Sequence, residues 1–137
     1  MKIRRLSKDI LLPKKSHLPD CGLDIFVPKD FEIRPFETIT IGLGLCVAIP
    51  EGFAGMLVPR SSIAEKGLIV QTAIIDPDYT GEIHLIITNC SGTRYTINKG
   101  QRVCSLVVYS VLNCRIEDVE ELPQTERGSN GLGSTGK

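Results

Sequence analysis

Four separated blocks carry the residues able to do chemistry in this 137-residue chain. The first, Cys21-Gly22-Leu23-Asp24-Ile25, sets one carboxylate in an apolar frame. The second, residues 59–67, places Arg60 beside the hydroxyls of Ser61 and Ser62. The third, residues 73–83, gathers Asp76, Asp78 and Tyr79. The fourth, residues 126–137, combines an arginine, repeated glycines and two hydroxyls, Ser134 and Thr135. Flexible backbone N–H groups with hydroxyls and a cation are the parts of a phosphate-wrapping lid. A weaker fifth block runs from Lys99 to Val107. Each block also has a plain structural reading. Asp76-Pro77-Asp78 suits a hairpin turn, residues 61–67 a capped helical turn, and Asp24 a buried carboxylate after a glycine turn. Residues 126–137 read alone as a disordered tail.

Gly131-x-x-x-x-Gly136-Lys137 matches the start of a P-loop. That loop works only between a strand and a helix whose N-terminus faces the phosphates, so the match is set aside.

Composition narrows the function classes. Lys+Arg and Asp+Glu are both 16, a formal net charge of +0. A nucleic-acid track or an anionic membrane needs a basic excess, so neither is expected as a partner. A small anionic ligand needs only a few well-placed cations. The five cysteines include no Cys-x-x-Cys pair, and four lie among apolar residues. They read as buried free thiols in a reducing compartment. His17 and His84 are the two histidines, which disfavours a closed zinc site. MKIRRLSKD lacks the apolar core of a signal peptide, and no apolar run approaches the ~20 residues of a membrane span. A soluble cytoplasmic protein is expected.

These blocks need a scaffold, and period two supplies it. Residues 39–47, 82–88 and 101–111 read as strands, with shorter ones at 23–27, 53–58 and 68–75. In 82–88 the alternation puts Ile83, Leu85 and Ile87 on one face. Turn residues separate the runs, and 13 Gly with 8 Pro suit a sandwich or barrel. Residues 61–67 predict one or two helical turns with a serine cap and a glycine stop. Residues 115–122 predict at most a short surface turn. The length fits one domain, divided as a β domain over 1–125 and an arm over 126–137.

The order and wording of the blocks resemble the trimeric deoxyuridine triphosphatases (dUTPases), from about Cys21 to Lys137. Ile75-Asp76-x-Asp78-Tyr79-x-Gly81-Glu82-Ile83 and the arginine-led arm with Gly133-Ser134-Thr135-Gly136 are specific together. The resemblance implies an all-β fold: a distorted jelly-roll or β-clip barrel of short antiparallel strands with one short helix and a flexible glycine-rich C-terminal arm. It implies hydrolysis of dUTP to dUMP and pyrophosphate with Mg²⁺, which keeps uracil out of DNA and supplies the thymidylate precursor. It also implies a homotrimer with shared active sites.

By that resemblance Asp76 orients and activates the water. Ala73, Ile74 and Ile75 read uracil through their backbone, and Tyr79 packs under the deoxyribose, leaving no room for a 2′-OH. Arg60, Ser61 and Ser62 cradle the phosphates through bidentate and neutral donors. Asp24 holds Mg²⁺ through water. Arg127, Leu132, Gly133, Ser134 and Thr135 close over the nucleotide. The sequence departs from the usual family pattern at Cys21 (alanine), Ser62 (glycine), Ser105 (glutamine) and Leu132 (phenylalanine). Arg60-Ser61-Ser62 also looks like dCTP deaminases of the same fold, alone or bifunctional. Deamination without zinc needs an acid/base glutamate on the strand after the hairpin, and Ile86 matches that position. A nucleotide-sensing module that does not turn over is the other alternative; the presence of Asp76, Arg60 and Tyr79 favours the enzyme.

Overall fold

Alternating apolar positions close two sheets onto one core. The structure, a computed structural model, describes residues 1–129. In chain order the strands are β1 (Lys2–Arg5), β2 (Gly22–Phe26), β3 (Phe31–Ile33), β4 (Thr38–Ala48), β5 (Phe53–Pro59), β6 (Leu68–Val70), β7 (Ile74–Ile75), β8 (Glu82–Asn89), β9 (Tyr95–Ile97) and β10 (Arg102–Ser110), with one helical turn, α1 (Ser61–Ala64), after β5. One sheet runs β1-β4-β8-β6, the other β2-β10-β5-β7, and β3 pairs with β9. The strand pairings are antiparallel. This is the expected all-β jelly roll with one short helix.

β8 follows its alternation. Ile83, Leu85 and Ile87 are buried between the sheets, while the carboxylate of Glu82 and the ring of His84 lie on the other face. β4 breaks the pattern. Leu43, Leu45, Cys46 and Val47 are all buried, because a register shift lies between Gly42 and Cys46. Gly44 takes φ +67 in this bulge, and a Cβ there would stand 2.7 Å from Ile10. The Glu82 carboxylate caps the bulge by accepting from Gly44 N at 2.8 Å.

Residues 68–75, expected as one strand, form two. β6 pairs with β8 in the first sheet and β7 with β5 in the second. The chain changes sheets there, so one apolar run serves two ladders. β1, β3 and β9 were not foreseen. β1 is a charged edge strand whose side chains are exposed except for the half-buried Ile3, and β3 and β9 have three residues each. The helical turn also differs from expectation. Its N-cap is Arg60, with no side-chain cap bond, so the serines are not used as caps. Gly67, at φ +72, provides the expected stop. Among the cysteines only Cys46 and Cys104 are buried; Cys21, Cys90 and Cys114 are exposed. These three lie on turns or connecting segments, where an apolar neighbour does not bring burial: Leu112 and Ile116, which flank Cys114, are themselves exposed.

After β10, residues 111–129 form no regular element. Leu112, Ile116 and Leu122 are exposed along this run. No helix among the described residues is long and apolar enough to cross a membrane.

Burial, then the charge of Asp24, pushes the Cys104 thiol up to about 12. Both withdrawn from solvent, Cys46 and Cys104 should resist a maleimide in the native protein and label only in urea, as mass spectrometry would show. An unfolded thiol ionises near 9.0. The Cys104 contribution to stability should be present below that pH and lost as pH rises toward about 12.

Candidate functional site

Asp24 of β2 stands opposite Ser105 of β10 and is 5% exposed. A carboxylate withdrawn from water needs donors on both oxygens. Oδ1 accepts from Ser105 Oγ at 2.9 Å and pairs with the Arg60 guanidinium. Oδ2 accepts from Ser16 Oγ at 3.0 Å and from Arg102 Nη1 at 3.0 Å. Arg102 Nη1 also donates to Ser16 Oγ at 2.8 Å. Burial raises the carboxyl's pKa, but the hydrogen bonds from Arg60, Ser105 and Ser16 and the Arg60 charge outweigh it. The net result holds Asp24 below its ordinary 3.8. One carboxylate thus carries two guanidiniums, and the cluster keeps a net positive charge.

Local chain geometry delivers these groups. Gly22 lets β2 lie close on β10, since a Cβ there would be 2.9 Å from that of Ser105. A register shift between Arg102 and Cys104 buries Val103 and Cys104 consecutively and turns Arg102 and Ser105 toward the same carboxylate. Arg60 is held by its own N–H, which donates to Val103 O at 3.1 Å. Lys14 and Asp24 exchange backbone bonds at 3.2 and 2.8 Å, which carries Ser16 into range. Beside the cluster a cavity of about 320 Å³ is lined by Arg60, Ser62, Lys66 and Arg102 among others. Ser61 is exposed at the start of α1.

The third block forms a separate pocket. β7 leads into a turn in which Tyr79 N donates to Asp76 O at 3.1 Å. Ala73, Ile74, Ile75, Asp76 and Tyr79 line one cavity of about 250 Å³, closed by β8 residues including Ile86. Tyr79 folds back over Gly81, where a Cβ would be 2.7 Å from its ring, and its hydroxyl donates to Glu82 O at 2.7 Å. The Asp76 carboxylate is exposed at the mouth.

β5 separates the two halves. Gly55 pairs with Ile75 at one end and Pro59 with Cys104 at the other, with Arg60 next in the chain. Five residues of strand span roughly 17 Å. Asp76 and Arg60 therefore sit beyond opposite ends of one strand, and their two cavities share no lining residue. Arg127 lies in the turn where Gly128 N donates to Thr125 O at 3.1 Å. Leu132, Gly133, Ser134 and Thr135 lie outside the described residues.

Among the described residues no three of His, Cys, Asp and Glu gather as a metal cage. Four donors already crowd the Asp24 oxygens. With two guanidiniums and two hydroxyls on its oxygens, Asp24 would help to hold a hard cation such as Mg²⁺ only through a metal-bound water, and only by giving up one of those donors. Sequence reasoning missed Ser16, which has no local signal. It quoted Arg102 in the weak fifth block and His84 as a histidine, without assigning either to the site.

A family model for dUTPase matches residues 8–136. The deoxyuridine 5′-triphosphate nucleotidohydrolase of Dictyoglomus turgidum is 38% identical, the match covering 98% of this chain and 96% of that one. That of Corynebacterium glutamicum is 40% identical over 100% of this chain and 95% of its own. A mutant dUTPase of Staphylococcus bacteriophage 80alpha with dUpNHpp superposes with TM-score 0.94 at 28% identity, covering 99% and 98% of the two chains. A mutant dUTPase of phage phi11 of S. aureus, described for its coordination of a structural Mg(II) ion, gives TM-score 0.82 at 28% identity over 88% of this chain and 96% of that one.

Asp24→Asn should leave two guanidiniums without a counter-charge and place an amide donor against donors. Because both arginines are partly exposed, the expected cost is about 2–3 kcal/mol, below that of a fully buried pair. Ser105→Ala, which removes one neutral donor, should cost about 1 kcal/mol. Urea unfolding of the two variants checks the order.

Proposed function

This chain belongs to the dUTPase family, and on that premise we propose how it hydrolyses dUTP to dUMP and pyrophosphate. The carrying observation is the hairpin cavity, in which Asp76, Tyr79 and the strand Ala73–Ile75 line a single pocket. Uracil enters that pocket and is read by backbone N–H and C=O groups of Ala73, Ile74 and Ile75. Tyr79 packs under the sugar and excludes a 2′-hydroxyl. The Asp76 carboxylate accepts a proton from a water whose oxygen attacks the α-phosphorus. The bond from that phosphorus to the α,β-bridging oxygen breaks, and pyrophosphate leaves with the electron pair.

Arg60, Ser61 and Ser62 hold the departing phosphates through charge-assisted and neutral hydrogen bonds. Mg²⁺ brought in with the triphosphate would neutralise part of its charge, and Asp24 would be the carboxylate that holds it, through water. Arg127, Leu132, Gly133, Ser134 and Thr135 belong to the arm of residues 126–137, which covers the nucleotide and expels water. The β domain over 1–125 stands without the arm. The free thiols suit work in the reducing cytoplasm.

Two observations support shared sites in a homotrimer. The span of β5 keeps Asp76 and Arg60 of one chain at opposite ends, so a substrate needing both takes them from two subunits. Leu112, Ile116 and Leu122 also lie exposed along one extended run, an apolar surface of the kind that neighbouring subunits cover. The deaminase alternative is not favoured: Ile86, which cannot transfer a proton, lines the base pocket.

Asp76→Asn should lower dUTP turnover by about 10²–10⁴-fold while a non-hydrolysable dUTP analogue still binds in calorimetry. Full activity in that variant removes Asp76 from the mechanism. Arg60→Ala should also be inactive. Refolding the two variants together should restore about a quarter of wild-type activity if each site draws on two subunits. A mixture as inactive as its components refutes sharing. Removing residues 127–137 should leave the melting temperature unchanged and abolish most pyrophosphate release.

A further inference from the structure

Ser16 lies outside every sequence block and has no part in the mechanism above, yet its hydroxyl makes two bonds, both to the charged cluster. Oγ donates to Asp24 Oδ2 at 3.0 Å and accepts from Arg102 Nη1 at 2.8 Å. The fold has other means of holding this segment. Ser16 is exposed and belongs to no strand. On one side the chain is fixed by the backbone bonds between Lys14 and Asp24. On the other it is fixed by a turn in which His17 N donates to Asp20 Oδ2 at 2.8 Å and Asp20 N to His17 O at 3.1 Å.

The hydroxyl bears on how two cations share one anion. A carboxylate offers about four acceptor positions. Ser105 and Arg60 use Oδ1, and Ser16 and Arg102 use Oδ2. Arg102 Nη1 places one hydrogen on Asp24 and the other on Ser16, so one arginine is held at each oxygen. Without the hydroxyl, Oδ2 has an open position and Nη1 an idle hydrogen. Arg102 is then free to turn and fork two nitrogens onto the carboxylate, the geometry this pair of groups favours. That clasp competes with Arg60 for Asp24. The Arg60 and Arg102 side chains are 29% and 38% exposed and line one cavity, so an anion can reach both.

Resting on the assignment of Arg60 to the phosphates, we propose that Ser16 is a positioning residue for the triphosphate: by fixing Arg102 on Asp24 Oδ2 it keeps Arg60 on Oδ1 and both charges at the wall of the cationic cavity. Ser16 acts through the arginines and needs no contact with the nucleotide. Its effect therefore grows with the number of phosphates and does not extend to base or sugar.

The test is calorimetric titration of dUpNHpp and of dUMP, which keeps the base, the sugar and a single phosphate, into the wild type, Ser16→Ala, Ser16→Cys and Ser16→Thr. One hydrogen bond corresponds to roughly a three- to tenfold change in affinity. Ser16→Ala should weaken dUpNHpp by that factor and leave dUMP binding unchanged. Ser16→Thr, which keeps the hydroxyl, should restore the wild-type affinity. Ser16→Cys, whose thiol is a weak donor and acceptor, should behave as Ser16→Ala. Circular dichroism melting identifies any variant that fails to fold, and Ser16→Cys carries the comparison if Ser16→Ala does. Wild-type affinity for dUpNHpp in a folded Ser16→Ala or Ser16→Cys overturns the proposal, and so does an equal loss for dUpNHpp and dUMP, which marks a merely structural role. An Arg60→Ala variant that binds dUpNHpp as tightly as the wild type overturns instead the phosphate assignment on which it rests.

Discussion

The site depends on a buried carboxylate that cannot stand alone. Asp24, taken out of water, recruits two guanidiniums and two hydroxyls, and each partner imposes a local condition on the chain. Gly22 must lack a side chain for β2 to approach Ser105. β10 must carry a bulge so that Arg102 and Ser105 both turn to the carboxylate. Lys14 must pair with Asp24 through the backbone to bring the Ser16 hydroxyl into range. A single arginine would have made a neutral pair with little pull on a phosphate. The second arginine leaves a positive surplus, and Lys66 lines the adjoining cavity with both arginines. The charge that would meet a triphosphate is thus tied to the same contact that stabilises the fold.

β5 acts as a spacer in this architecture. It hydrogen-bonds to β10 along its length and to β7 near its start, which fixes the hairpin at one end and Arg60 at the other. Strand rise cannot be compressed, so no side-chain motion brings the two groups together within one chain. The assembly proposal therefore follows from an inextensible element rather than from surface character. The exposed run after β10 gives that assembly a place to bury apolar area.

Legibility in the sequence followed the strength of local signals. β8 was readable because Ile83, Leu85 and Ile87 alternate without interruption and face one core. β4 was readable as a strand, but its bulge was not, since Gly42 and Gly44 look like ordinary weak points until Glu82 is seen capping them. The run 68–75 misled because periodicity reports burial, and both sheets bury the same apolar residues. The hairpin residues Ala73, Ile74, Ile75, Asp76 and Tyr79 came together as their spacing in one block suggested. Ser16 and Arg102 did not announce themselves, because their role arises from a bridge and a bulge that join distant segments. Four cysteines with apolar neighbours suggested buried thiols, yet only Cys46 and Cys104 are enclosed. Neighbours along the chain do not fix which way a turn residue points.

Ser105 shows how a departure from a family pattern acquires a physical meaning. Where the resembled proteins usually carry glutamine near the phosphates, this chain has a side chain too short to extend beyond the carboxylate opposite it. Its hydroxyl is committed to Asp24 Oδ1 at 2.9 Å, so it supports the anion that organises the arginines instead of reaching outward. On the proposed mechanism, neutral donors to the phosphates then fall to Ser61 and Ser62, which are both exposed beside Arg60. Serine at position 62, the other departure in this half, adds a hydroxyl to the wall of the cationic cavity. The two substitutions are complementary: one withdraws a polar reach from β10, and the other supplies a hydroxyl from α1.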